Sequence, residues 1–319
     1  MKKLGLKKLG LTKLGLRKLG LNFAIVILAN SVFQFGAFGQ TPAQRPRILG
    51  IDHVAFYTTN PEGVKKLYGD QLGLASAEPI EPGGVLRYMV GKQWVGFSPA
   101  LDLRSPDRMD HVAWRTNNIA ALRTYLIAQG ITVPEIQGRS DHSLFFVISD
   151  PEGHRVEFVE RAQAEATLQI GSAVSRHIIH AGFLVYHREA EDHFYRDILG
   201  FRPYWHGGMK DDVIEWMSLQ VPDGTDWIEY MVNQPAHPNR QLTGVMNHVS
   251  LGVADIKKAQ ATLEARDWKP HGDEKAQLGR DGKWQLNLYD PDQVRVELME
   301  FKPVQKPCCS EFTGTHPTE

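Results

Sequence analysis

Cysteine is nearly absent from this 319-residue chain, which has only two, the adjacent Cys308 and Cys309 near its C-terminus. A disulfide framework or a cysteine-based zinc finger therefore lacks the residues to build it. Hydrophobic residues make up 42% and charged residues 23% of the chain. These fractions exclude a collagen-like, a wholly disordered or a multi-span membrane protein. They indicate a globular protein with length for two domains of roughly 150 residues each.

Positive charge is scarce outside the N-terminus. Residues 1–39 hold seven basic and no acidic side chains, while the whole chain has 36 basic and 37 acidic residues. Without that segment, 29 basic residues face 37 acidic ones, a net charge of −8. A body this acidic lacks the positive surface that binds a phosphate backbone. We therefore predict no nucleic-acid partner.

The N-terminus reads as an export signal. A basic leader of five-residue repeats is followed by an uncharged, mostly apolar stretch, Leu21–Phe38, and by the small residue Gly39. These are the three parts of a secretory signal peptide. We predict cleavage near Gly39 and a periplasmic or extracellular protein. The alternative is an uncleaved anchor, but the apolar stretch is short for a membrane span and is interrupted by Asn30, Ser31 and Gln34.

The remaining chain repeats one small unit four times. Each unit begins with a strand-like run that carries a histidine, continues with a helix-type segment, and ends with three further strand-like stretches. A unit of about 50 residues cannot bury much core alone, so the units should pair. The runs are Ile51–Tyr57, Asp110–Trp114, Ile179–Leu184 and Asn247–Gly252, and the helix-type segments are Asn60–Leu72, Ile119–Gln129, Arg188–Leu199 and Asp255–Arg266.

This pattern predicts an α+β fold of four βαβββ modules paired into two domains. The segment between modules two and three is polar and rich in Ala, Gln and Ser, as is typical of a linker. The last residues are rich in Pro, Thr and Lys, which predicts disorder. The predicted boundaries are a signal peptide at 1–39, an N-terminal extension at 40–47, domains at 48–162 and 177–302 joined by a linker at 163–176, and a tail at 303–319.

The two faces of each histidine strand differ. Side chains alternate along a strand, so Val54 and Phe56 should pack under the helix while His53, Ala55 and Tyr57 share the opposite face. In all four runs, the residue two positions after the histidine is Ala, Gly or Ser. Small neighbours leave space beside the imidazole, which favours a ligand site over a packed core.

Three closing strands add a carboxylate at matching positions. Glu157, Glu229 and Glu297 each lie between apolar residues, whereas the first module has Gly96 there. A single strand histidine is usually a surface or hydrogen-bonded residue, and a single strand glutamate usually faces solvent. A buried glutamate is costly unless it is paired or binds a metal, however, and two histidines with a carboxylate form a facial triad for divalent metals. We predict a metal site in at least one domain.

The Asp/Asn-His-Val openings and the Asp-Pro-x-Gly-x-x-Val-Glu closings resemble the vicinal oxygen chelate superfamily, which includes glyoxalase I, bleomycin-resistance proteins and extradiol dioxygenases. The resemblance covers Ile48 to Phe301. It implies two glyoxalase-like cup-shaped domains, each holding one divalent metal (Fe, Zn, Ni or Mn) where it works. The implied ligands are His53, His111 and Glu157 in the N-terminal cup, with the slot at Gly96 empty, and His180, Glu229, His248 and Glu297 in the C-terminal cup.

The leading functional hypothesis is a metalloenzyme acting on a small oxygen-rich substrate chelated through adjacent oxygens, with glyoxalase-like isomerase or lyase chemistry. Glu297 or Glu229 would act as the general base. One alternative is an Fe(II)-dependent dioxygenase, although Asn287 stands where the extradiol signature has tyrosine. The other is a non-catalytic binding protein of the bleomycin-resistance type. Whether both cups work, and whether the chain forms a homodimer, is left open by the sequence.

Overall fold

Two eight-stranded sheets contain all sixteen strands of the described residues. The computed structural model describes residues 44–81, 83–162, 171–272 and 274–319, so the predicted signal peptide and most of the predicted linker lie outside the described residues. The first sheet contains β1 (Ile48–Thr58), β2 (Ala75–Ala77), β3 (Leu86–Val90), β4 (Gln93–Pro99), β5 (Met109–Thr116), β6 (Gln137–Gly138), β7 (Leu144–Ser149) and β8 (Arg155–Glu160). The second contains β9 (His177–Leu184), β10 (Arg202–Gly207), β11 (Trp216–Gln220), β12 (Trp227–Met231), β13 (His248–Val253), β14 (Gln277–Leu278), β15 (Trp284–Tyr289) and β16 (Arg295–Glu300).

A helix follows each histidine strand, as predicted. The helices are α1 (Pro61–Val64) with a π-helical continuation (Lys65–Gln71), α2 (Ile119–Ala128), α3 (Arg188–Asp192) with a π-helical continuation (His193–Ile198), α4 (Arg240–Met246), which instead lies between β12 and β13, and α5 (Ile256–Ala265). Asn60, Asn118 and Asp255 begin α1, α2 and α5, each accepting a hydrogen bond from a first-turn backbone N–H. Such caps satisfy otherwise unpaired donors. In the described part of the chain, every helix is too short or too polar to span a bilayer.

Strand order shows that the modules pair as predicted. The first sheet runs β2-β3-β4-β1-β5-β8-β7-β6, and the second repeats this order as β10-β11-β12-β9-β13-β16-β15-β14. Each module's first strand pairs parallel with its last, and the two modules of a sheet join through their antiparallel histidine strands. The α+β class with two curled, glyoxalase-like sheets is therefore confirmed. We call the β1–β8 sheet the first cup and the β9–β16 sheet the second cup.

Apolar residues of both sheets form one core. Val54 and Phe56 are buried in it, on the helix side of β1, as strand alternation predicts. Tyr125 of α2 donates a hydrogen bond of 2.8 Å to the carbonyl of Ile198, and the rings of Trp114 and Phe201 are 5.0 Å apart. The described residues from 44 onward form one compact unit. The predicted domain boundaries themselves stay a prediction.

The tail at 303–319, for which composition predicts disorder, instead packs on the second cup. The backbone N–H of Thr313 donates to the carbonyl of Tyr204 at 3.0 Å. The ring of Phe312 lies 4.8 Å from the ring of Tyr204, and His316 accepts from the Tyr204 hydroxyl. A polar composition is compatible with order here because a few apolar and hydrogen-bonding anchors suffice to fix a short segment on a finished surface.

Candidate metal centres

Strand pairing brings two histidines together in each cup. In the first cup His53 lies opposite Ala113, and His111 lies opposite Ala55. In the second cup His180 pairs with Ser250 and His248 with Gly182. The small partners are a steric requirement, since a Cβ added to Gly182 would lie 2.1 Å from the His248 Cε1 atom. The small residues noted in the sequence thus make room for the imidazoles.

The first cup gathers His53, His111 and Glu157 with a fourth group, Glu81, that the sequence did not indicate. The Nε2 atoms of the two histidines are 3.0 Å apart, and each is 3.2 Å from the Glu81 Oε1 atom. Glu157 Oε1 lies 3.7 Å from His53 Nε2. Glu81 follows β2 in a loop, where no periodic pattern marks it.

Gly96 supplies no ligand atom, and the ring of Trp94 packs against it. A Cβ at Gly96 would lie 2.5 Å from the Trp94 ring. That ring stacks on His53 with 3.7 Å between ring centroids. Trp94 therefore takes the space that a fourth strand glutamate would need.

Carboxylates orient both histidines of the first cup. His53 Nδ1 is 2.8 Å from Asp52 Oδ1, and His111 Nδ1 is 2.9 Å from Asp110 Oδ2. Such pairs fix the ring so that Nε2 faces the site, as in many metal centres. Burial lowers the pKa of His111, but Asp110 and Glu81 outweigh it and raise that pKa to about 10.

Arg139 fills the first cup. Its guanidinium donates to Glu81 Oε1 at 2.9 Å and to Glu157 Oε2 at 2.7 Å, and its side chain is 3% exposed. It also lies 3.8 Å from the centre of the Phe145 ring. The carboxylates of this cup are thus already neutralised by a cation of the chain itself.

Replacing Arg139 with Met is expected to raise the affinity of the first cup for Zn²⁺ or Mn²⁺ by at least about tenfold. A unit charge 4 Å from a cation costs on the order of 4 kcal/mol at an effective dielectric constant of 20. The measurement is calorimetric metal titration of a background in which His248→Ala disables the second cup. Arg104→Met, at an exposed arginine, is the control. An unchanged affinity would contradict the inhibitory role of Arg139.

The second cup brings together His180, His248 and Glu297, with Glu229 slightly farther away. The two histidine Nε2 atoms are 3.0 Å apart, and Glu297 Oε2 is 3.3 Å from His180 Nε2. Glu229 Oε2 is 3.8 Å from His180 Nε2 and 3.7 Å from His248 Nε2. Each of the two predicted carboxylates therefore lies close to a histidine Nε2 atom, although Glu229 is outside the tightest set.

The surroundings of these histidines differ from those in the first cup. Ile179 and Asn247 precede the histidines where the first cup has aspartates. His248 Nδ1 lies 2.7 Å from the Met246 carbonyl, and Arg295 donates to His248 Nε2 at 2.7 Å. Burial is the main cause that lowers the pKa of both histidines and raises the pKa of Glu229 to about 8. The second cup is therefore a desolvated site whose imidazoles are neutral, the form that binds metals.

A cavity of about 360 Å³ opens beside this second set. Its wall includes Glu229 and Glu297 together with a buried lysine, Lys283, and an aromatic lining. Arg139 of the first cup corresponds in sequence offset to Gly279, which lines the cavity and sends no side chain into it. The second cup therefore has no side chain at the position from which Arg139 enters the first cup.

Unsatisfied oxygen atoms indicate that the donor sets suit a cation. Glu157 Oε1 in the first cup and Glu297 Oε2 in the second are buried, and neither has a hydrogen-bond partner among the described residues. Such atoms are costly without a partner. Two imidazole nitrogens with one or two carboxylates form a fitting donor set for a divalent transition metal. Both cups are therefore candidate metal centres.

Comparison with known proteins supports this fold assignment. The model of the Glyoxalase/Bleomycin resistance protein/Dioxygenase superfamily matches residues 177–298, within the second cup. A search of curated proteins finds no match. BphC, a halotolerant catechol dioxygenase, is 17% identical with a TM-score of 0.60, and the match covers 85% of this chain and 95% of that one.

Two further solved structures are similar to a comparable degree. Homoprotocatechuate 2,3-dioxygenase from Brevibacterium fuscum, in complex with 3,4-dihydroxyphenylacetate, is 15% identical with a TM-score of 0.59, and the match covers 86% of this chain and 84% of that one. The Mn(II)-bound glyoxalase from Novosphingobium aromaticivorans is 16% identical with a TM-score of 0.61, and the match covers 80% of this chain and 83% of that one. The family match over the second cup and the shared folds are consistent with the vicinal oxygen chelate superfamily.

Proposed function

We propose that the second cup is the catalytic centre of a metal-dependent enzyme whose small substrate carries two adjacent oxygens, and that the reaction is of the isomerase or lyase type. The observation that carries this proposal is that Glu229 and Glu297, which line a cavity of about 360 Å³, lie beside the buried pair His180 and His248. In the first cup, Arg139 occupies the corresponding space.

The residues of the second cup divide into two roles. His180, His248 and Glu297 would hold the divalent metal, which when bound supplies a Lewis acid that polarises a substrate carbonyl. Glu229 is the candidate general base, because its side chain is 13% exposed against 4% for Glu297 and it lies farther from the histidines. In the isomerase reaction its Oε2 atom would accept a proton from the hydroxyl-bearing carbon and return it to the former carbonyl carbon, while the hydroxyl proton passes to the former carbonyl oxygen.

Proton exchange tests this role. We expect the metal-loaded protein to incorporate deuterium from D2O into the α-position of hydroxyacetone without O2, as followed by NMR. Glu229→Gln should slow the exchange by on the order of 100-fold or more, as is typical of losing a general base. Glu264→Gln, on the solvent side of α5, is the matched control. Equal exchange in the Glu229 and Glu264 variants would refute the base assignment.

Fe(II)-dependent dioxygenation is the second candidate, favoured by the His180, His248 and Glu297 set. A facial set of this composition binds iron and leaves positions open for O2. Turnover that requires both iron and O2, with no anaerobic exchange, would favour it. Stoichiometric retention of a ligand by the metal-free protein, without turnover, would instead point to a binding protein.

A further inference from the structure

Lys283 is a fully buried cation in the wall of the second cup's cavity. It stands directly before β15, after a turn in which Gly282 has a φ of +78°. Its Nζ atom donates no hydrogen bond to any described residue. Three aromatic rings surround Nζ, with ring centroids at 4.5 Å for Trp227, 5.0 Å for Phe312 and 5.4 Å for Tyr204.

Within the described chain, the contacts of Lys283 do not fully offset the free-energy cost of burying its ammonium group. No carboxylate oxygen of the described residues forms an ion pair with Nζ within 4.0 Å. The carboxylates of Asp281, Glu297 and Glu229 attract the ammonium from farther away. Burial lowers the pKa of Lys283 to about 8, against the opposing effect of these three carboxylates. The side chain is therefore mostly an ammonium at neutral pH. A buried ammonium held by cation–π contacts alone is poorly satisfied.

The other cations of the cavity wall already have partners. Arg280 donates to the Gly208 carbonyl and to Asp211, and Arg295 donates to His248. Lys283 is thus the lining cation whose charged atom is left without a hydrogen bond in the described part of the chain. It shares one cavity with Glu229 and Glu297.

We propose that Lys283 binds a carboxylate of the substrate, so that the second cup selects planar carboxylic acids that also carry two adjacent oxygens. This inference rests on the proposed function, in which the adjacent oxygens lie at the histidine and glutamate set. A single carboxylate suits a single ammonium, because a dianion such as phosphate would face the cavity's own carboxylates. The rings of Trp227, Tyr204 and Phe312 suit a flat ligand, since aromatic faces stack.

Binding of benzoate and of its neutral analogue benzamide tests the inference without any catalytic step. Affinities are measured by calorimetry on the full protein, once with Zn²⁺ and once after chelation. We expect benzoate to bind the parent at least tenfold more tightly than benzamide. Lys283→Met should abolish this preference in both states while leaving benzamide affinity unchanged, and Lys283→Arg should restore part of it. Lys269→Met, at an exposed lysine, is the matched control.

The outcomes separate this inference from the proposed function. A preference for benzoate that survives in Lys283→Met would overturn the role of Lys283, even if the cup binds metal and catalyses exchange. Trapping of a carbonyl compound on Lys283 by borohydride would also overturn it, because the residue would then act as an amine nucleophile. If Lys283→Met loses the preference for benzoate after the metal has been removed by chelation, the role of Lys283 is supported, even if no turnover is found.

Discussion

In the variant that combines His248→Ala with Glu297→Ala, we expect the protein to lose one equivalent of bound divalent metal together with its turnover. The change removes an imidazole nitrogen and the carboxylate nearest to His180, which lies 3.3 Å from His180 Nε2. Losing only a residue that hydrogen-bonds to a metal ligand typically lowers metal affinity by about 10–100-fold. Removing two ligands should therefore lower it by at least about 100-fold. Elemental analysis per chain and the deuterium exchange of hydroxyacetone measure the two losses.

A first-cup variant and a surface variant complete this experiment. His111→Ala with Glu157→Ala should leave exchange intact, because Arg139 already neutralises the first cup. His193→Ala with Glu264→Ala, on exposed helix faces, should change neither metal content nor exchange. If metal content falls only in the first-cup variant, the assignment of the working cup is reversed. The identity of the bound metal separates an iron oxygenase from a Zn, Ni or Mn Lewis-acid enzyme.

Replacing Asp292 with Ala is expected to lower the free energy of unfolding by about 3–5 kcal/mol, the range for breaking a buried ion pair. The fully buried carboxylate accepts from Thr58 Oγ1 at 2.7 Å, from the Thr59 N–H at 2.8 Å and from Arg240 at 2.6 Å. It also lies 3.4 Å from the Nε of buried Arg108. It ties the last turn of the second sheet to the end of β1. Urea unfolding measures the loss, and exposed Asp212 is the control position.

The contribution of Asp292 should depend on pH in a defined direction. Burial raises its pKa, but hydrogen bonds from Thr59 and Thr58 outweigh that effect and lower the pKa below its ordinary value. A carboxyl group with a lowered folded-state pKa stabilises the protein above its unfolded pKa, about 3.9, and loses that contribution as the pH falls toward the folded value. The stability difference between parent and Asp292→Asn should therefore be constant near pH 7 and shrink below about pH 4. A difference that grows on acidification would contradict this account.

The sequence alone predicted the modules and placed the candidate ligands on one face of their strands, because both depend on short-range periodicity. Side-chain alternation put His53 and Val54 on opposite faces, and the repeated turns placed Glu157, Glu229 and Glu297 at matching positions in their strands. Pairing of first with last strands then made these positions neighbours. Glu81 was missed, because a loop residue reaches the site only after the sheet curls.

The sequence by itself determined four βαβββ modules, two cups and a histidine pair with a carboxylate in each cup. Only the tertiary structure decided how the cups differ. Arg139 and Gly279 occupy equivalent loop positions, as do Ser143 and Lys283, and a residue type at such a position does not reveal where its side chain points. The long arginine closes the first cup, while glycine leaves a cavity into which the buried lysine can present its charge. These placements depend on contacts between residues far apart in the chain, which no local pattern records.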